Sequence, residues 1–237
     1  MGNNARKRNT VKCAKGRGRR LKPAVRTLLM LLFLIGCAAV LLFTDRSGKS
    51  YRVLTQREIA RCALKNEYDS PLRRTAVEAA LGLVGKVHYF WGGKYYEVGE
   101  CPEWGVPKTV TGTGNSTSGT VRPFGLDCSG FVTWCYAQTG MGKAKLLGTI
   151  GDGTWNQWMQ SSEIDKTEAK LGDIAFFNAY PGASSNHVGI VVAFTSSGAP
   201  LIAHCSSGED NVVVTTAGDR FVYFRTYDLS GLDPLVP

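Results

Sequence analysis

The apolar positions of this 237-residue chain fall into three regimes. From Thr27 to Thr44 they run without a charge between Arg26 and Asp45. In separate stretches between about residues 55 and 159 they recur every three or four residues, the spacing of helices, and after Lys170-Leu171-Gly172-Asp173 they alternate with a period of two, the spacing of strands. Thr55-Gln56-Arg57-Glu58 has the form of a capping box opening a helix to about Lys65. Asp69-Ser70-Pro71 starts a second helix, with Pro71 suited to its first position and Ala76, Ala79, Ala80, Leu83 and Val84 forming its apolar stripe to about Gly85. A third, amphipathic helix of about three turns begins at Cys128, carries Phe131, Val132, Cys135 and Tyr136, and stops near Gly140. Gly151-Asp152-Gly153-Thr154 leads into a short helical stretch whose Trp155, Trp158 and Met159 read as core. Strands are predicted at about 174–178, 187–194, 200–205, 211–216 and 220–226. Residues 94–125 show no sustained period and read as a long loop, in which Tyr95, Tyr96 and Trp104 either line a cleft or belong to a surface insertion. Helices followed by an antiparallel sheet of about five strands make an α+β domain.

Charge divides the chain further. Ten of the 28 Lys and Arg residues precede position 27, and no Asp or Glu occurs before Asp45. The other 18 basic residues face 19 acidic ones, so the formal +9 belongs to the tail and the body is nearly neutral. A tail of this kind without aromatic residues, running straight into an apolar segment, reads as a topology signal rather than a nucleic-acid site. The 18 residues 27–44 make a helix of about 27 Å, close to the roughly 30 Å of bilayer hydrocarbon. The positive-inside rule then keeps residues 1–26 in the cytoplasm and sends the body outside. Two alternatives stay open: a cleaved secretory signal, and a lipoprotein, because Leu34-Ile35-Gly36-Cys37 resembles a lipobox that would lipidate Cys37. The expected organisation is a basic cytoplasmic tail (1–26), a transmembrane anchor (27–44), a tether and short helix (45–69), and a domain over 70–237 with an insertion at 94–125.

The candidate chemistry centres on Leu126-Asp127-Cys128-Ser129-Gly130-Phe131-Val132. Asp127 is a plausible N-cap, which places Cys128 at the helix start, where free N–H groups and the helix dipole favour negative charge and a thiolate at neutral pH. Cys128 and Cys135 lie about 10 Å apart along the helix, too far to bridge; a Cys62–Cys101 bridge is conceivable, with free cysteines the plainer reading. No CxxC pair suggests structural zinc. Two of the three histidines lie in strands. With a turn centred on Ser197-Gly198, position 191 pairs with 204, so His187 and His204 face one way and Cys205 the other. A helix-borne cysteine with two histidines on one sheet face has the parts of a Cys–His–polar triad: Cys128 as nucleophile, His187 as base, His204 orienting the ring, and N–H groups at the helix start as an oxyanion site. The chemistry calls for no metal or organic cofactor.

Five blocks in order, Tyr89-Phe90-Trp91-Gly92-Gly93, the Cys128 block, Leu171-Gly172-Asp173-Ile174-Ala175-Phe176-Phe177, His187-Val188-Gly189-Ile190 and Ile202-Ala203-His204, resemble the motifs of the NlpC-type cysteine peptidases, a papain-like family that cuts stem peptides of bacterial peptidoglycan, commonly between D-glutamate and the diamino acid. The resemblance covers about 70–226. It implies Cys128, His187 and His204 as the catalytic set, and Tyr89, Asp127 and Ser129 as substrate-binding or oxyanion residues. The 94–125 insertion departs from the usual pattern. A non-cleaving peptidoglycan-binding module, and an amidase or acyltransferase with the same Cys–His machinery, are the competing readings. Peptidoglycan stem peptides and, through 27–44, the lipid bilayer are the expected partners.

Overall fold

Capping residues set the helices where the sequence marks them. Helix α1, Gln56–Ala63, starts on the expected capping box, with the Glu58 N–H donating to Thr55 Oγ1 and the Thr55 N–H to the Glu58 carboxylate. Helix α2, Pro71–Gly82, begins with its proline in the first turn, where a missing N–H costs nothing. These features come from a computed structural model that describes residues 51–179 and 186–230 and the single positions 30 and 232. The chain divides into Met1–Gly48 and Lys49–Pro237. The basic tail, the expected anchor 27–44 apart from Met30, and residues 45–50 of the expected tether lie outside the described residues. Among the described residues no helix is long and apolar enough to cross a membrane.

Helix α3 spans Cys128–Ala137, with the Asp127 carboxylate accepting from the Gly130 N–H at its start. The sequence predicts an amphipathic helix, but every residue of α3 is buried. It lies between α2 and the sheet, and Trp104 from the insertion closes a further side, its ring 5.4 Å from that of Trp134. A helix covered all round needs no polar face. Phe131 and Tyr136 are among the largest fully buried side chains, each contributing about 1.5–3 kcal/mol.

Beyond α3 the helix Lys143–Thr149 (α4) was not predicted; of its residues only Leu146 is buried, too little for an apolar stripe. Helix α5, Gly153–Met159, forms as expected, but Trp155 and Met159 are exposed rather than core. Of the three, only Trp158 packs inward, edge-on to Phe176 and Tyr223.

The insertion 94–125 is not a bare loop. Pro107–Thr109 (β1) and Val121–Pro123 (β2) pair as an antiparallel ribbon, and the Asn115 side chain accepts from both the N–H and hydroxyl of Thr117 to close a turn between them. Three-residue strands with mostly exposed side chains leave no alternating pattern to read.

The main sheet has six antiparallel strands rather than about five: Ser161–Ile164 (β3), Ile174–Phe176 (β4), Val188–Phe194 (β5), Pro200–Ser206 (β6), Asn211–Thr216 (β7) and Tyr223–Tyr227 (β8), in the order β3-β8-β4-β5-β6-β7. The missed strand, β3, is a polar edge in which only Ser161 is buried. The β5–β6 register also differs. Val191 pairs with Ile202 rather than residue 204, and a bulge lies between Val191 and Ala193. The displacement is even, so the parity that sets the faces survives it. Finally, residues 51–54 are no free tether. They lie along the β7 edge, with the Thr216 N–H donating to the Arg52 carbonyl at 3.1 Å and the Leu54 N–H to that of Val214 at 2.8 Å.

Candidate active site

The start of α3 is fixed by backbone that approaches closely at glycines. The Asp127 N–H donates to the Gly93 carbonyl at 3.1 Å, and His88 to Phe90 runs beside Leu126. A Cβ on Gly93 would run into the Gly125 carbonyl, and one on Gly130 into that of Gly93; no other residue fits there without moving backbone. From the other side the hairpin loop after β6 pins the same segment: Asp210 accepts from the Tyr89 N–H at 3.1 Å and pairs with His88 at 3.0 Å.

This packing buries Cys128 against the entrance of β5, where the N–H groups of Val188 and Ser129 reach the thiol. Val188 follows His187 directly. The expectation of a resting thiolate does not hold. Burial pushes the thiol up to about 12, and the Asp127 carboxylate adds to this; the Lys94 ammonium and the two N–H groups pull the other way without prevailing. The helix start is favourable to charge, but removing a thiolate from water costs more.

The two histidines meet. His187 Nε2 lies 2.8 Å from His204 Nδ1, and the rings stand nearly perpendicular with centroids 4.8 Å apart. Phe177 and Phe221 pack against them. Burial pushes His187 down to about 4, with Asp127 acting in the opposite sense. Burial and the neighbouring His187 hold His204 well below the usual histidine range. Both imidazoles are therefore neutral at rest. Among the described residues no hydrogen bond joins the thiol to either ring. The His187 nitrogen not engaged by His204 is Nδ1, and its residue abuts the amide that touches the sulfur.

The other predicted positions also gather here. Tyr89 is half-buried, and its hydroxyl is held above the ordinary range by burial and by the proximity of Cys128 and Asp127. Asp127 Oδ1 accepts from the Gly130 N–H at 2.7 Å and from the Ser129 hydroxyl at 2.8 Å. Cys205 faces away from the histidines, as its parity predicts, and its thiol donates to the Leu126 carbonyl at 3.1 Å.

Three further residues belong to the site. Lys94 extends an ammonium 2.7 Å from Asp127 Oδ1, 2.6 Å from Ser129 Oγ and 3.3 Å from Asp152 Oδ1. Burial works against its charge, but Asp127 and Asp152 hold its pKa above the ordinary value. It follows directly on the Gly92-Gly93 pair, a cation among aromatics, and that was its one signal. On the far side of His204, the Tyr51 hydroxyl lies 3.0 Å and Thr215 Oγ1 3.3 Å from Nε2. A cavity of about 390 Å³, lined by Cys62, Lys65, Asp69, Leu171 and Phe194 among others, includes none of these residues.

The family model for NlpC/P60 matches residues 86–226, more than half of the chain. The bifunctional muramidase/DL-endopeptidase CwlT of Bacillus subtilis (strain 168) is 36% identical over 69 residues, 29% of this chain and 19% of that protein; the chain thus spans about a fifth of the length of this curated relative. The peptidoglycan hydrolase RipB of Mycobacterium tuberculosis is 20% identical, with 73% of this chain and 67% of that one covered at a TM-score of 0.45. RipD of the same organism, described as a non-catalytic NlpC/p60 domain protein adapted to peptidoglycan binding, is 18% identical over 66% of this chain and 98% of its own, at 0.44. With the family model matched over that span, the chain belongs to the NlpC/P60 family.

Proposed function

We propose that this protein is a peptidoglycan endopeptidase that cleaves a stem-peptide amide, the D-glutamyl–diamino acid bond, through a thioester on Cys128. The observation that carries the reading is the joint placement of a thiol at the start of α3, the His187 residue at its Val188 contact, and the 2.8 Å His187–His204 bond behind it. The Cys128 thiol gives its proton to His187 Nδ1 as sulfur adds to the carbonyl carbon. The oxyanion faces N–H groups at the helix start. Collapse breaks the C–N bond, and the departing amine takes the proton from His187. Water, deprotonated by the same nitrogen, then cleaves the thioester, restoring the thiol and releasing a carboxylate. His204 accepts from His187 Nε2–H and holds the ring throughout. Tyr89, Asp127 and Ser129 border the place where the peptide would lie.

The same proposal places the domain outside the cell membrane on a single-pass anchor at 27–44. Its support is the charge-free apolar run behind a ten-cation tail, and recovery of the uncleaved chain in the membrane fraction tests it. Incubating the protein and Cys128→Ala with purified sacculi, with products identified by mass, tests the chemistry. Loss of fragment release by the variant is expected, and undiminished release would overturn the mechanism. Binding of sacculi by the parent without any release would identify a non-cleaving module instead.

A further inference from the structure

Tyr51 lies 35 residues ahead of the family-matched region 86–226, in the segment that adds to the β7 edge. Val53 stands opposite Thr215 there, and strand parity puts Tyr51, Val53, Thr215 and Val213 on one face, with His204 opposite Val213. That face is the one bearing the histidines. The Tyr51 ring is held by Phe177 and Phe221, at centroid distances of 6.2 and 6.5 Å, and by the Arg220 guanidinium 4.7 Å above it.

We propose that Tyr51 is a positioning residue of the catalytic relay: its hydroxyl, together with that of Thr215, fixes His204 Nε2 and, through His204, the ring and tautomer of His187. This rests on the peptidase reading given above. His204 is fully buried, so an Nε2 without a partner would be a costly orphan. A hydroxyl can donate or accept; here the two oxygens are assigned as acceptors from Nε2–H, so that His204 Nδ1 carries the lone pair and accepts from His187 Nε2–H across the 2.8 Å contact. His187 Nδ1 is then unprotonated and able to take the thiol proton. The reverse tautomer would place a proton on His187 Nδ1 and block the base. Burial raises the Tyr51 hydroxyl above its usual pKa, so it remains a neutral phenol. Tyr51 touches no reacting atom and acts only through His204.

The test is Tyr51→Phe in the full chain, which keeps the ring and its packing and removes one oxygen. As the imidazolium forms only during reaction, the lost hydrogen bond is one to a developing charge, and kcat should fall by roughly 10- to 100-fold, with KM and melting temperature unchanged. Thr215→Val should lower kcat in the same way, while Thr215→Ser, which keeps the hydroxyl, should restore it. A Tyr51→Phe enzyme within twofold of the parent in kcat overturns the proposal. So does a loss matched by an equal fall in melting temperature or confined to KM, since either marks a packing role. Cys128→Ala run alongside separates the two readings: activity surviving there defeats the peptidase mechanism, whereas an inactive Cys128→Ala with an unaffected Tyr51→Phe defeats only the role of Tyr51.

Discussion

Replacing Lys94 by Met should make Cys128 harder to ionise without dismantling the site. The ammonium is the cation in contact with both Asp127 and Asp152, so its loss changes the local charge next to the sulfur from about −1 to −2. A unit charge of order 6 Å from a group in surroundings of effective dielectric about 20 is worth about 2.8 kcal/mol, or about two pKa units. Partial solvent screening at a side chain 19% exposed brings the expected shift to between about one and two units. The sign follows from the groups facing the thiol: Asp127 raises its pKa, Lys94 and the amides of Val188 and Ser129 lower it, and Tyr89 and Cys205 are uncharged at neutral pH. Below its midpoint, alkylation by iodoacetamide follows the thiolate fraction, so Lys94→Met should react about 10- to 100-fold more slowly at Cys128, as measured by peptide mass across a pH series. Lys94→Arg should restore most of the rate, and Asp127→Asn, which keeps an oxygen for the helix cap, should move the midpoint down. A Lys94→Met profile superimposable on the parent would refute the electrostatic role, leaving Lys94 as a structural ion pair.

Two stability predictions follow from buried ionisable groups. Arg73 and Asp173 pair at 2.7 Å with side chains only 10% and 2% exposed, and Arg73 also donates to the Leu171 carbonyl and the Thr226 hydroxyl. Among the described residues, Asp173→Ala leaves the buried guanidinium only the Asp69 carboxylate, 3.7 Å away and nearly half exposed, and should cost about 3 kcal/mol, a fall of roughly 10 °C in melting temperature, whereas Arg73→Met with Asp173→Leu should recover much of it; no fall in the single variant would contradict the assignment. The second concerns pH. His187 and His204 have folded pKa values below that of an unfolded histidine, so the unfolded chain binds more protons through the window from about 6.5 down to about 4. Their contribution is fully present above that window and lost as pH falls through it. Calorimetry should show melting temperature dropping with acidity there, and His187→Gln should flatten the dependence; an unchanged slope would mean the imidazoles are not the groups responsible.

Where local chemistry decides structure, the sequence was readable. The capping box at Thr55, the N-cap at Asp127 and the proline opening α2 are satisfied within a few residues of chain, and no tertiary contact is needed to anticipate them. The shared face of His187 and His204 was readable for a different reason: side-chain parity is preserved by an even slip, so pairing Val191 with Ile202 instead of His204 left both rings together. Lys94, 33 residues from Asp127, and Tyr51, 153 from His204, left no such trace. Each reaches the site because a distant segment is laid against it by backbone pairing, and beyond the aromatic setting of Lys94 neither carries a pattern of its own. Strand β3 and the β1–β2 ribbon escaped notice because edge strands with solvated side chains do not alternate.

The thiol shows how a sound local rule is overruled by packing. A helix start favours a thiolate, and Asp127 does cap the helix as expected, but the same carboxylate that supplies the cap places negative charge beside the sulfur, and burial of the thiol takes it away from the water that would have stabilised the anion. Thiol and imidazole are both pushed toward neutrality, the thiol up to about 12 and His187 down to about 4. A resting thiolate–imidazolium pair is therefore disfavoured from both sides, and on the peptidase reading proton transfer to His187 accompanies attack instead of preceding it. Lys94 lowers the cost of the charge on sulfur, and the hydroxyls behind His204 hold the acceptor nitrogen ready. The residues hardest to read from the sequence are thus those that offset what burial imposes on its most legible one.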